Sequence, residues 1–576
     1  MFSRALLRRL LPDIAAFAVC VGAGFLYFRG VWAHPRTTWV GYPGDSEQFI
    51  WFTAWPPYAI THGLNPLTST FLNAPSGVNL MWNTAITLPA LLLTPVTLTL
   101  GPIFSYNLLG TLALGLSAWT ASIAIHRFVP SRIGSLVGGL LFGFSPYMAP
   151  HAGGHLMLVI VLLVPLMVIL LDDLLVRQRL RPLYAGALLG VLVTAQLLTS
   201  EEVLAETAFI AAIAVVLLVL LRPRSVVPHV RHALSALGIG AGVAAVLSAF
   251  PLYVQFFGPQ RLSGAVLHPP NVYVNDVLNT IIPTDQVFTT TAAAEIANKF
   301  TGNGSEWNGY IGVPLIIVIA IVLIAHRRSL LVWLTALVGI AATVLSWGSR
   351  AHIGGVSTNI PLPGTLLHHV PLLNQILADR LSLFADLAWG ILVAIAVRDA
   401  VTNRRRWMLS APVAALVVLV ALSWLPRTPP TYTDAVPSFF HSSLVRNIPS
   451  GAVVLMVPVT TGAYNAAPMV WQAESGMWYR STSGYIFTPG PAGTPLFGAP
   501  DTTTSLSLES IRTTGVAPPL TPDLISHIHS DLTAWHVHSV VVGPMDHEDA
   551  AVQFLTGVLG APPQQAGGVN VWWTLS

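Results

Sequence analysis

Eleven apolar runs of 16 to 21 residues punctuate this chain, at about 12–31, 105–125, 133–149, 155–171, 182–199, 203–221, 233–253, 310–325, 330–346, 381–397 and 408–425. At about 1.5 Å per residue, a helix of such length spans much or all of a hydrocarbon core of roughly 30 Å, where each backbone polar group must be satisfied within its own segment. A chain of 576 residues that is 53% hydrophobic and only 9% charged, with a mean hydropathy of +0.67, reads as a polytopic α-helical membrane protein with about 11 transmembrane helices. Cys20, the only cysteine, lies inside the first run, which excludes a disulfide or a thiolate metal centre within one chain. Arg4, Arg8 and Arg9 precede that run. Val31-Trp32-Ala33 resembles a cleavage site, yet the spans that follow mark a retained signal anchor.

The stretch Ala85 to Leu100 is apolar but only 16 residues long and carries Pro89 and Pro95, so it makes a poor continuous crossing. Charge decides its fate, because cytoplasmic loops collect Arg and Lys. If it does not cross, 17 basic residues fall on the inner face, including Arg127, Arg132, Arg177, Arg224, Arg327, Arg328 and Arg404 to Arg406, against seven outside before the tail. If it did cross, 14 of the 17 would move outside. The sequence therefore predicts a re-entrant or surface-lying helix within an external loop of about 32–104. The N-terminus is then cytoplasmic and the region 428–576 extracytoplasmic. All basic residues except Lys299 are arginine, a composition typical of GC-rich codon usage, so the net charge of +3 implies no nucleic-acid partner.

The external face collects the chemistry. Gly44-Asp45-Ser46-Glu47 follows the first span, among Trp39, Tyr42, Phe49, Trp51, Phe52 and Trp55. His151 and His155 follow the third span, and Glu201 and Glu202 lie at the outer end of the fifth. A loop of about 254–309 carries Asp276, Asp285, Glu295, Lys299 and Glu306; another of about 347–380 carries Arg350, His352, His368, His369, Asp379 and Arg380. Paired histidines at i, i+4 can bind a metal, but with no third ligand apparent in the sequence His151 and His155 read as interfacial packing or phosphate contacts, while Glu47 two residues after Asp45 could support a divalent cation. Asp45 also fits a helix N-cap, Glu201 and Glu202 suit a helix N-terminus, and Arg380 suits a snorkelling role. Within the spans, Glu206 and Asp386 are ionisable groups that call for a wet cavity or a pairing partner.

This arrangement, with its acidic motif after span one and an outer C-terminal domain, resembles the GT-C superfamily of integral-membrane glycosyltransferases. The resemblance covers topology along the chain, with Gly44-Asp45 and Glu47 as its motif; the His151 to His155 run, Glu201-Glu202 and Met469 to Ala473 also look like bacterial members. It implies a GT-C-like core, a sugar donor carried on polyprenyl phosphate, and an Asp of the first loop as catalytic base. Asp45 is then the catalytic base and Glu47 a second catalytic carboxylate, with Glu201, Glu202, His151, His155, Arg380, His352 and His368 toward substrate. Displacing phosphate at an anomeric carbon needs a base for the acceptor hydroxyl and a cation or oriented donors for the leaving anion. One direct displacement inverts the anomeric centre. The acceptor is a cell-envelope glycan, lipid or protein, and membrane lipid is the surrounding partner.

Residues 1–427 form the expected membrane domain and 428–576 a small mixed α/β domain. Short apolar runs at Ala452 to Val459, Ser539 to Val542 and Val569 to Leu575 alternate there with helical stretches at Asp523 to Trp535 and His547 to Leu559, and Pro489 to Thr504 reads as a long loop. The aromatics Trp471, Trp478, Tyr479, Tyr485 and Phe487 read as packing rather than glycan binding. No Walker loop or dinucleotide fingerprint occurs, which argues against a nucleotide-driven pump. A transporter or flippase of lipid-linked intermediates, favoured by Glu206 and Asp386, and a non-catalytic envelope assembly protein are the alternative classes.

Overall fold

The computed structural model describes residues 4–223, 229–263, 268, 271–369, 373–402, 407–433 and 436–575. Arg224 and Arg404 to Arg406 lie outside the described residues, as do the side chains of Arg4, Arg8, Arg9, His368 and His369. All eleven apolar runs coincide with helices. Five are long and apolar enough to cross a membrane: Pro102–Phe128, Leu156–Arg177, Glu201–Leu221, Val230–Phe257 and Ala378–Thr402. Six shorter apolar helices match the rest: Leu11–Tyr27, Arg132–Gly143, Pro182–Leu197, Val313–Ala325, Leu330–Ser346 and Ala411–Ser423. Ala85 to Leu100 breaks into helices Thr87–Leu92 and Thr94–Leu100, each with a proline near its start and neither long enough to cross.

The described residues form two compact units. One comprises 1–32, 109–248 and 266–429; the other comprises 33–108, 249–265 and 430–576. The first long loop thus shares a unit with the C-terminal region.

In the helical unit, Arg132–Gly143 packs against Ser382–Thr402 with almost no space between backbones. A Cβ on Gly138 would fall 2.4 Å from the Gly390 carbonyl oxygen, and one on Gly134 2.5 Å from that of Ala394. Such small-residue contacts let two apolar helices gain dispersion energy where lipid offers no hydrophobic drive. Asp386 of the second helix accepts hydrogen bonds from Ser145 and the backbone of Tyr147, just past the end of the first. The segment 145–155 is thereby fixed beside residues 378–386.

In the other unit the C-terminal sheet has strands β1 (Val453–Val457), β2 (Arg480–Ser481), β3 (Val537–Val542), β4 (Gln564–Ala566) and β5 (Val569–Trp572), in the order β4-β5-β3-β1-β2. β1 runs parallel to both β2 and β3, and β5 antiparallel to β3 and β4. Every residue of β1 is buried, as expected for a central strand covered on both faces. Helices Thr503–Thr514, Pro522–Ala534 and Glu548–Leu559 contribute Leu508, Ile511, Ile528, Leu532, Phe554 and Leu555 to one side of its core. Trp471, Tyr479 and Phe440 fill the other, with Trp471 stacked on Phe440 at 5.3 Å and Trp478 packed against them, so three of the five aromatics expected to pack, Trp471, Trp478 and Tyr479, lie in or against this core. The expected long loop instead holds a hairpin, Phe487–Pro489 with Pro495–Phe497, and the helix from Thr503 opens on a reciprocal cap between Thr502 and Ser505.

Candidate functional site

Helix Glu201–Leu221 starts at Ser200, whose hydroxyl accepts the Val203 N–H at 3.4 Å, and its first turn presents Glu201 and Glu202 where the helix dipole favours carboxylates. Glu206 follows one turn later. A 3-10 turn, Ala378–Leu381, opens the helix Ser382–Thr402 and presents Asp379 and Arg380. Glu306 comes from a third segment, the short turn Gly304–Glu306. Arg380 joins them: Nη1 donates to Glu202 Oε2 at 2.5 Å, Nη2 to Glu306 Oε1 at 2.7 Å and Nε to Glu306 Oε2 at 3.3 Å. Arg380 is 7% exposed and Glu306 2%, so both charges have left bulk water for one another. Burial alone would raise the Glu306 carboxyl; Arg380, with His151 and a hydrogen bond to Asp379, holds it well below the usual range.

His151 ends the short helix Met148–His151 and is wholly buried. Burial pushes its pKa down to about 3 against the opposing charge of Glu306, so the ring is neutral at physiological pH. Its Nδ1 lies 3.1 Å from His155 Nδ1, and its Nε2 lies 3.2 Å from Asn308 Nδ2 and 3.7 Å from Glu306 Oε2. Asn308 Nδ2 also donates to Asp379 Oδ2 at 3.2 Å, while Asn308 Oδ1 accepts from Asn275 Nδ2 at 3.2 Å. That amide orientation makes His151 Nε2 an acceptor, which assigns the ring proton to Nδ1 and directs it at His155.

One nitrogen of each histidine and one oxygen of Glu306 lie within 4.8 Å of one another. Neutral imidazole and ionised carboxylate are the forms that bind metals, and the cluster can coordinate a divalent cation. Glu206 is wholly buried, and neither of its oxygens has a hydrogen-bond partner among the described residues. A cavity of about 520 Å³ opens in the same unit, lined in part by His268, Asn271, Arg350, Asn374, Leu377 and Ala378.

The structure thus brings His151, His155, Glu202 and Arg380 together and adds Glu306, Asp379, Asn308 and Glu206, which the sequence reading had not placed in a site. Glu201 is half-buried beside Glu202. His352 stands on the strand Arg350–Ile353, with Nδ1 3.1 Å from Thr301 Oγ1 and its pKa lowered by burial. The backbone of His368 falls in the 3-10 helix Pro363–His369.

In the other unit, Asp45 is the first residue of helix Asp45–Thr61 and is half-buried. Glu47 is 2% exposed, and its Oε2 accepts the Gly44 N–H at 2.8 Å, closing the helix N-terminus. Gly44 has φ +102°, and a Cβ there would fall 2.3 Å from the Ala463 carbonyl oxygen. The loop after β1 therefore lies directly on the Gly-Asp motif. Ser46 Oγ and Tyr106 Oη both donate to the Val40 carbonyl, at 2.9 and 3.0 Å, with Asp45 in electrostatic reach of the phenol.

No protein-family model matches the chain, and no curated protein matches its sequence. Solved structures do match in fold. The cryo-electron-microscopy structure of the arabinofuranosyltransferase AftD from Mycobacteria aligns with 96% of this chain and 41% of its own, at 16% identity and a TM-score of 0.52. ArnT from Cupriavidus metallidurans, bound to undecaprenyl phosphate, aligns with 97% of both chains at 12% identity and a TM-score of 0.45. The Archaeoglobus fulgidus oligosaccharyltransferase in the apo form aligns with 92% of this chain and 69% of its own, at 10% identity and a TM-score of 0.45. The chain spans about two-fifths of the length of AftD. At low sequence identity, the chain shares its fold with AftD along nearly its whole length.

Proposed function

We propose that this protein is a membrane glycosyltransferase that moves a sugar from a polyprenyl-phosphate donor to a cell-envelope glycan, lipid or protein on the extracytoplasmic face. The fold shared with AftD over nearly the whole chain is the observation that carries this reading. Asp45 acts as general base, removing the acceptor proton as its oxygen attacks the anomeric carbon, which inverts that centre. Its placement supports the role: the backbone around it is fixed by Glu47, by Gly44 against Ala463 and by the Val40 carbonyl, while Asp45 itself keeps part of its surface in solvent. Glu47, bound to the Gly44 N–H, positions that carboxylate. Arg380, His151, His155, Glu201, Glu202, His352 and His368 are assigned to the substrate side, and His151, His155 and Glu306 would hold a divalent cation, which would supply positive charge to an anionic ligand.

On this reading the N-terminus is cytoplasmic and the C-terminal α/β region extracytoplasmic in a bacterial plasma membrane, a sidedness that the arginine distribution supports. Mass analysis of polyprenyl-linked sugars and envelope glycans in cells with and without the protein tests the reading. A glycosyl-phosphate lipid should accumulate, and one glycan linkage should vanish, when the protein is absent; unchanged pools of both would contradict it.

A further inference from the structure

Four carboxylates, Glu202, Glu206, Glu306 and Asp379, gather about one guanidinium, Arg380. Glu206, Glu306 and Asp379 are each at least 98% buried. Ionised carboxylates out of water require counter-charge or strong hydrogen bonds. Arg380 is already committed to Glu202 and Glu306, and Glu206, in electrostatic reach of all three, has no hydrogen-bond partner at either oxygen. Glu206 thus brings an unpartnered buried carboxyl to the cluster, and beside it stand two imidazoles. Arg380 cannot serve an anionic ligand while it faces two carboxylates, since an incoming anion would have to displace them.

We infer that His151, His155 and Glu306 bind one divalent cation, and that this ion, by claiming Glu306, turns Arg380 toward a phosphate group in the adjoining cavity. Leu377 and Ala378, which line that cavity, lead directly into Asp379 and Arg380, and His268, another lining residue, lies in electrostatic reach of Arg380. An ion on Glu306 places positive charge beside the guanidinium and converts an acidic cluster into a site with an unmet demand for anion. Two imidazole nitrogens with one carboxylate suit Mn²⁺, Co²⁺ or Zn²⁺ over Ca²⁺ and Mg²⁺, which favour all-oxygen sets. That the phosphate is a lipid headgroup rests on the transfer reading above; the cation site and its linkage to phosphate do not.

The test is Mn²⁺ titration of the full chain in detergent micelles, alone, with inorganic phosphate and with undecaprenyl phosphate. The expected result is one Mn²⁺ per chain, bound about tenfold more tightly when phosphate is present, with phosphate tightened reciprocally by Mn²⁺. Coupling to both phosphates identifies a general phosphate site, and coupling to the lipid alone identifies a headgroup site. His155→Ala, at a half-buried position, should weaken Mn²⁺ at least tenfold, and Arg380→Gln should keep the cation while losing the coupling. If either variant fails to fold, the wild-type linkage together with the failure of Ca²⁺ to displace Mn²⁺ carries the test. Absence of Mn²⁺ and Zn²⁺ binding, or binding indifferent to both phosphates, overturns the inference. A chain that shows the linkage but transfers no sugar would contradict the transfer reading and leave this one standing.

Discussion

Arg380 grips Glu306 with two nitrogens, at 2.7 and 3.3 Å, while a third reaches Glu202. Arg380 and Glu306 are both almost wholly buried, so removing one leaves an uncompensated charge inside the protein. Arg380→Ala is expected to destabilise the protein by about 3–5 kcal/mol, read as a lowered unfolding temperature in detergent. A change below about 1 kcal/mol would mean that the pair is solvated.

Gly44 is expected to tolerate no side chain. At φ +102° an L-residue is strained by about 1–3 kcal/mol, and its Cβ would also meet the Ala463 carbonyl at 2.3 Å, which only backbone movement relieves. Gly44→Ala should lower thermal stability and displace Asp45 enough to cut sugar transfer, measured on reconstituted protein. Full activity in Gly44→Ala would show that the loop after β1 does not fix the motif.

Glu474 predicts a pH dependence. Burial raises its pKa from the ordinary 4.5 to about 7, although the Ile103 backbone N–H opposes the shift. Between those values the folded chain holds a proton that the unfolded chain has lost, so stability falls as pH rises from 4.5 to 7 and stays reduced above that, by up to about 3 kcal/mol. His441, 3.7 Å away and lowered by burial, contributes the opposite slope, so the contrast with a variant isolates Glu474. Glu474→Gln should raise the unfolding temperature at pH 8 and leave it unchanged at pH 4. Equal curves at both pH values would contradict the assignment.

Sidedness can be read chemically, because Cys20 is the only cysteine and is buried. With Arg328→Cys and Thr513→Cys, each made separately in intact cells, a membrane-impermeant maleimide should label only the second. Labelling of the first would invert the topology.

The helices were legible because a span is written in local composition, and the broken stretch before residue 101 because two prolines interrupt it. Strands β1, β3 and β5 were legible as apolar runs. The hairpin Phe487–Pro489 with Pro495–Phe497 was not, since proline closes or opens each strand, and neither was Thr503–Thr514, whose polar residues outnumber its two core residues Leu508 and Ile511. In the site, His151 and His155 could be paired from spacing alone. Glu306 and Arg380 are 74 residues apart, and Arg380 and Glu202 are separated by 178, so no window of sequence contains the cluster. The close approach of Gly138 to Gly390, which sets the two helix ends side by side, is likewise a tertiary fact. Glu47 read as an acidic motif residue; its bond to the Gly44 N–H emerged only with the helix.

The most direct test of the account is sugar transfer by purified Asp45→Asn in liposomes, supplied with the polyprenyl-phosphate sugar that accumulates in cells lacking the protein. Loss of the general base should lower the transfer rate about 10²–10⁴-fold while the unfolding temperature and donor binding stay at wild-type values. Transfer at the wild-type rate by a folded Asp45→Asn protein would contradict the mechanism.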